Sequence, residues 1–207
     1  MKNKFKILIL LLFICTYTIT LSSNLYIKGS FGVKEKLPFI SINNNLILNN
    51  SKKHTDNGIR LEYFINKNIG FGLGYSKFSS YKNTKIFNEV IKTEYKVPEI
   101  EYIPIYFIIK YNFYNNFYLK SNLGYSYNID KGDLLKLTDN CVNLKKEYYD
   151  FNVTNGMYYS LGIGYEYKNF IMELSYDVNK LKYTIDNGQH SKFNRERYTL
   201  SIGAKLF

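Results

Sequence analysis

The sequence predicts an all-β chain, a closed antiparallel barrel of eight up-and-down strands. Two observations carry that prediction: side chains alternate with a period of two over long stretches, and the connections between those stretches alternate between long and short. The clearest stretch runs from Met157 to Val178. Met157, Tyr159, Leu161, Ile163 and Tyr165 fall on one face, with Tyr158, Ser160, Gly162, Gly164 and Glu166 on the other. After a Lys168-Asn169 turn, Phe170, Met172, Leu174, Tyr176 and Val178 oppose Ile171, Glu173, Ser175, Asp177 and Asn179. A period of two means strands, and so short a turn means a hairpin. One face is large and apolar, the other small, polar or charged. In a soluble sandwich the apolar face would form the core; in a membrane barrel it faces lipid.

The N-terminal residues read as an export signal covering residues 1–22. Lys2, Lys4 and Lys6 precede an apolar run from Ile7 to Ile14, and small or polar residues end at Ser22 and Ser23. Cleavage after Ser22 removes Cys15 and leaves Cys141 alone, so no intrachain disulfide is expected. The chain of 207 residues has a formal charge of +11, and removing three signal lysines leaves about +8. That charge suits phosphates of lipopolysaccharide or host polyanions; export and the lack of a motif argue against nucleic acid. Tyr 22 and Phe 15 with Trp 0 is an aromatic-heavy composition that favours strands.

Residues 24–207 then divide as follows. The first strand spans Leu25 to Val33, the second Ile59 to Ile65, the third Ile69 to Phe78. The fourth runs from Tyr102 to Phe113, with Pro104 expected to cause a bulge or local irregularity because it cannot donate to the ladder. The fifth is Phe117 to Tyr127, the opening hairpin supplies the sixth and seventh, and Arg197 to Phe207 is the eighth. Long polar loops cover Lys34 to Asn57, Ser79 to Glu99, Asn128 to Gly156 and Asn179 to Arg195. Three are net basic and the third slightly acidic. Ile40, Ile42, Leu46, Ile47 and Leu48 suggest a hairpin of its own in the first.

Segregated short turns and long loops match a bacterial membrane barrel, and strands of this length suit a tilted span. Tyr63, Tyr75, Phe113, Phe117, Tyr165, Phe170, Tyr176 and Phe207 stand where interfacial girdles belong. On Ile103-Pro104-Ile105-Tyr106, Lys110-Tyr111-Asn112-Phe113, Gly162-Ile163-Gly164-Tyr165 and the aromatic Phe207, the chain resembles the small eight-stranded outer-membrane barrels: OmpX, the OmpA transmembrane domain and the opacity-type surface proteins. The resemblance implies residence in the bacterial outer membrane among its lipids and lipopolysaccharide, and insertion by the barrel-assembly machinery. It also implies a structural or surface-interaction role.

The inward face carries the candidate site. Placed on a depth scale set by the short turns, Lys28, Glu62, Lys110, Lys120 and Glu173 fall in one lumenal charged layer, with Gly72, Gly74 and Gly203 leaving room for the long side chains. An eight-stranded interior is just wide enough for side chains to fill, and buried charges there must pair. The expected result is a plug, with a small gated pore for ions or solutes as the alternative. A secreted lipocalin-like binder would need the opposite orientation of its faces. His190 and Ser191 with Asp186 or Glu196 are the residue types of a lipid A hydrolase, but adjacency is not triad geometry. His54 and His190 with one Cys make no zinc pattern. No enzyme activity, cofactor or metal is expected; the loops are the expected functional surface, as sites of adhesion to a host surface or polyanion.

Overall fold

The computed structural model describes residues 24–36, 41–42, 45–46, 56–78, 81–87, 91–97, 99–129, 132–139, 144–185 and 189–206. The export signal, Cys15, His54, Cys141, Asp186 and Phe207 lie outside them. Among the described residues thirteen strands follow in chain order: β1 (Leu25–Lys36), β2 (Ser41–Ile42), β3 (Asn45–Leu46), β4 (Asp56–Phe64), β5 (Ile69–Phe78), β6 (Tyr81–Phe87), β7 (Ile91–Val97), β8 (Ile100–Tyr114), β9 (Phe117–Asn128), β10 (Gly132–Asp139), β11 (Leu144–Tyr167), β12 (Phe170–Ile185) and β13 (Gln189–Lys205).

Eight of these close a barrel: β1, β4, β5, β8, β9, β11, β12 and β13 pair in that order, every neighbour antiparallel, and β13 returns to β1. Closure leaves the barrel wall without an edge. Two-residue turns join β8 to β9 and β11 to β12, and Asn115 and Lys168 supply the positive φ that such tight hairpins need. The turn before β5 is fixed by the Asn66 side chain, whose Oδ1 accepts from the Asn68 and Ile69 amides at 2.9 and 2.8 Å.

The faces sort as a membrane barrel requires. Leu161 is 64% exposed and Leu174 49%, while Glu173, between outward residues of the same strand, is 1% exposed. Ile105, Phe107, Ile109, Leu119 and Leu123 continue the outward apolar band. In water, so large a contiguous patch would drive aggregation; in lipid it is the correct surface. Aromatic pairs such as Phe117–Tyr165 at 5.0 Å and Tyr176–Tyr198 at 5.3 Å stand toward its two borders.

Three expectations change. The second and third long connections are not loops: β6 and β7 form a hairpin, β7 pairs with β10, and β10 pairs with the first part of β11. The fourth connection shrinks because β12 and β13 pair from Phe170↔Ala204 to Ile185↔Gln189. Pro104 gives the expected local irregularity, a gap in the ladder without a bulge. The β5–β8 ladder skips it and resumes at Ser76↔Tyr102 in the same register, so the missing donor costs bonds but not alignment. Val178, expected to face lipid, is only 2% exposed; its ladder neighbours are the longer Tyr159 and Glu196. In the first loop, β2 and β3 pair as a short hairpin.

Register shifts occur in β1 between Gly32 and Lys34, in β8 between Asn112 and Tyr114, and in β11 between Thr154 and Met157; the last has an identifiable cause. An added Cβ at Gly156 would stand 1.5 Å from the Lys180 carbonyl oxygen, so only glycine admits this approach. Above it Phe151 and Val153 point inward; below it Tyr158 and Ser160 do.

Candidate functional site: the lumenal charge lattice

Alternation delivers charged side chains from β1, β4, β9 and β12 to the barrel axis, and there they close a ring of alternating sign. Lys28 Nζ lies 2.6 Å from Glu62 and 2.9 Å from Glu173; Lys120 Nζ lies 2.8 Å from Glu62 and 2.6 Å from Glu173. Tyr106 donates to Glu62 at 3.1 Å and Tyr118 to Glu173 at 3.2 Å. All four ions are buried. Their charges cancel within the ring, so none is left as an isolated ion in a low-dielectric interior.

Glycines make this crowding feasible. An added Cβ at Gly72 would stand 2.1 Å from the Tyr106 ring, and one at Gly164 would stand 2.1 Å from the Tyr118 ring. At Gly203 it would meet the Ile27 carbonyl at 2.0 Å and Lys28 Cγ at 2.7 Å. Gly74 instead accommodates Pro104, whose Cγ would be 3.0 Å away.

Lys110 does not join this ring. It stands directly opposite Lys120 in the β8–β9 ladder, and two like charges at that separation repel. Lys120 joins the ring, while Lys110 leans toward the turns and pairs with Glu166, which also accepts from Tyr26 at 3.1 Å. Tyr26, Phe64 and Tyr118 surround the Lys110 ammonium, with ring centroids 5.6, 5.5 and 4.3 Å away.

Sequence reasoning missed a further tier toward the loops. Arg60 lies 2.5 Å from Asp177, which also accepts from Arg197 at 3.1 Å and Thr199 at 2.8 Å. Asp56 accepts from Arg195 at 2.7 Å and pairs with Arg197. Arg60 reaches 3.9 Å from Glu173, which couples this tier to the ring. Arg60 and Asp177 stood on the inward face by parity; Asp56 and Arg195 were hidden because their positions read as loop. Above this tier Phe151 stacks on Tyr183 with centroids 5.7 Å apart.

Among the described residues no three His, Cys, Asp or Glu converge as a metal-binding group. His190 and Ser191 lie on β13, and Glu196 hydrogen-bonds Tyr176. Within the described part, the lattice is arranged to fill and rigidify a lumen.

A closed eight-stranded wall, apolar outside and ionic within, defines a bacterial outer-membrane β-barrel protein. Neisserial surface protein A shares the fold, with a TM-score of 0.52 at 14% identity, covering 89% of this chain and 98% of that one. Ail, the attachment invasion locus protein of Yersinia pestis, aligns with a TM-score of 0.46 at 12% identity over 87% and 97% of the two chains. No protein-family model matches. The chain is 31% identical over 160 residues to Uncharacterized protein PM1543 of Pasteurella multocida (strain Pm70), 67% of each, and belongs to the same family as that protein.

Proposed function

We propose that this barrel is a non-conducting anchor that presents a rigid surface platform outside the cell. The observation that supports the reading is continuity: β6, β7, β10 and the first part of β11 belong to the same eleven-stranded sheet as the barrel wall. With short turns facing the periplasm, the long connections face outward, as in other barrels of this class. Here they form a sheet in which Lys136 on β10 pairs with Glu147 directly opposite on β11 at 2.7 Å. A preordered surface loses less entropy on binding than flexible loops would. Its role is adhesion to a host surface or polyanion, with no chemistry. A cleaved export signal over residues 1–22 and insertion by the barrel-assembly machinery complete the reading.

Purified protein in neutral detergent should bind heparin or host cells, and shortening the Ser79 to Glu99 and Asn128 to Gly156 segments should abolish binding while the barrel stays heat-modifiable on gels. Unchanged binding after all four long connections are shortened would refute the platform.

A further inference from the structure

The turn end of the barrel holds a cavity that the plug and the platform leave without a role. Its volume is about 370 Å³, and its wall includes Lys67, Lys110, Lys168 and Lys205 with Glu166 and five asparagines. Lys67 and Lys168 come from turns, Lys205 from the end of β13 and Lys110 from β8. Of these, Lys110 and Lys205 bring their ammonium groups to the inward Tyr26 ring, 5.6 and 5.9 Å from its centroid, while the Lys168 ammonium lies 5.5 Å from the outward Tyr167 ring, at the rim. Glu166 is the cavity's carboxylate, and Lys110 and Tyr26 already engage it. The wall therefore carries a formal charge of three positive.

Burial separates this from a scatter of surface lysines. Lys110 forms the roof, is 6% exposed, and is held in place by Glu166 and a cage of aromatic rings. Tyr26 and Phe64 pack edge to face at 4.9 Å beside it and give the cavity a rigid, partly apolar wall. The asparagine amides add donors and acceptors suited to a polar molecule. A rigid inner wall of Tyr26, Phe64 and Lys110 beneath a rim of exposed lysines and asparagines gives a concave, cationic site with polar groups for orientation.

We infer that this vestibule binds a small soluble polyanion from the periplasm, one bearing two or three carboxylate or phosphate groups. The wall combines inward Tyr26, Phe64 and Lys110 with residues of the turns, which favours an anion arriving from the aqueous mouth over a bilayer headgroup. Lysines provide non-directional positive charge, which accepts either anion class; the test distinguishes them.

Citrate and pyrophosphate are titrated separately into the full chain folded in neutral detergent, with binding followed by calorimetry and by amide chemical shifts. The expected result is saturable binding of at least one, weakening as potassium chloride rises, with shifts concentrated at Lys67, Lys110, Lys168 and Lys205. Citrate alone marks a carboxylate site, pyrophosphate alone a phosphate site, and both a site that reads charge. The combined Lys67→Gln, Lys168→Gln, Lys205→Gln variant, which spares the buried roof, should bind about tenfold more weakly or worse. No saturation by either anion, or affinity unchanged in that variant, overturns the inference.

Discussion

The two halves of β12 live in different solvents. From Phe170 to Tyr176 the outward residues are Phe170, Met172, Leu174 and Tyr176, and the inward ones include Glu173 and Ser175. From Asn179 to Tyr183 the arrangement inverts: Lys180 and Lys182 point out, Leu181 and Tyr183 point in and are buried. The backbone alternation never changes phase along β12; what changes is which environment each face meets. The lower half is immersed in hydrocarbon and hides its ions; the upper half stands in water and hides its apolar side chains. The inversion fixes where the wall leaves the membrane, near Val178 and the Gly156 bulge on the neighbouring strand.

That contrast makes graded predictions. The largest effect belongs to the ring. Glu173→Ala leaves Lys28 and Lys120 sharing one carboxylate, and should cost about 3–5 kcal/mol, read as a fall in the urea midpoint for unfolding in detergent. Next is a charge on the wrong face. Leu161→Arg should cost about 2–4 kcal/mol if it faces hydrocarbon, whereas Lys182→Leu, outward in the watery half, should stay within about 0.5 kcal/mol. Equal costs would erase the boundary. Gly164→Ala drives a methyl into the Tyr118 ring and should cost about 1–3 kcal/mol, recoverable by Tyr118→Leu.

The smallest effect lies in the sheet beyond the membrane. Hydrogen bonds from Lys136, Lys145 and Tyr149 hold the Glu147 carboxyl down at about 2, against an ordinary 4.5. A depressed carboxylate contributes stability above its unfolded value and loses it as pH falls through the folded one. Amide protection factors, taken relative to the intrinsic exchange rate at each pH, should therefore fall along β10 and the start of β11 between about pH 4.5 and 2, while those of amides opposite Glu173 hold. Simultaneous loss of both would mean that wall and extension open as one unit.

Much of this was legible from alternation alone, because a strand must place every second side chain on the same face. Lys28, Glu62, Lys120 and Glu173 were assigned to one layer by parity and distance from the turns, and they stand in contact. Distance from a turn could not say which of two facing lysines joins the ring, so Lys110 was grouped with it; repulsion from Lys120 and the presence of Glu166 decide otherwise. The loop-end tier stayed hidden for a different reason. The apolar outward set of β12 ends at Val178, yet Leu181 and Tyr183 alternate with Lys180 and Lys182 in the same period. A strand passing from lipid into water keeps its rhythm and exchanges its faces, so hydropathy alone misplaces its end. The cross-pairing of β7 with β10 joins two connections far apart in sequence, and nothing local announces it.

Single-channel recording of the purified protein in planar bilayers tests the central claim most directly. With Lys28, Glu62, Lys120 and Glu173 locked across the axis, the wild-type barrel should insert and give no steady conductance steps. Stable, reproducible steps from the pure wild-type protein would contradict the sealed lumen on which this account stands.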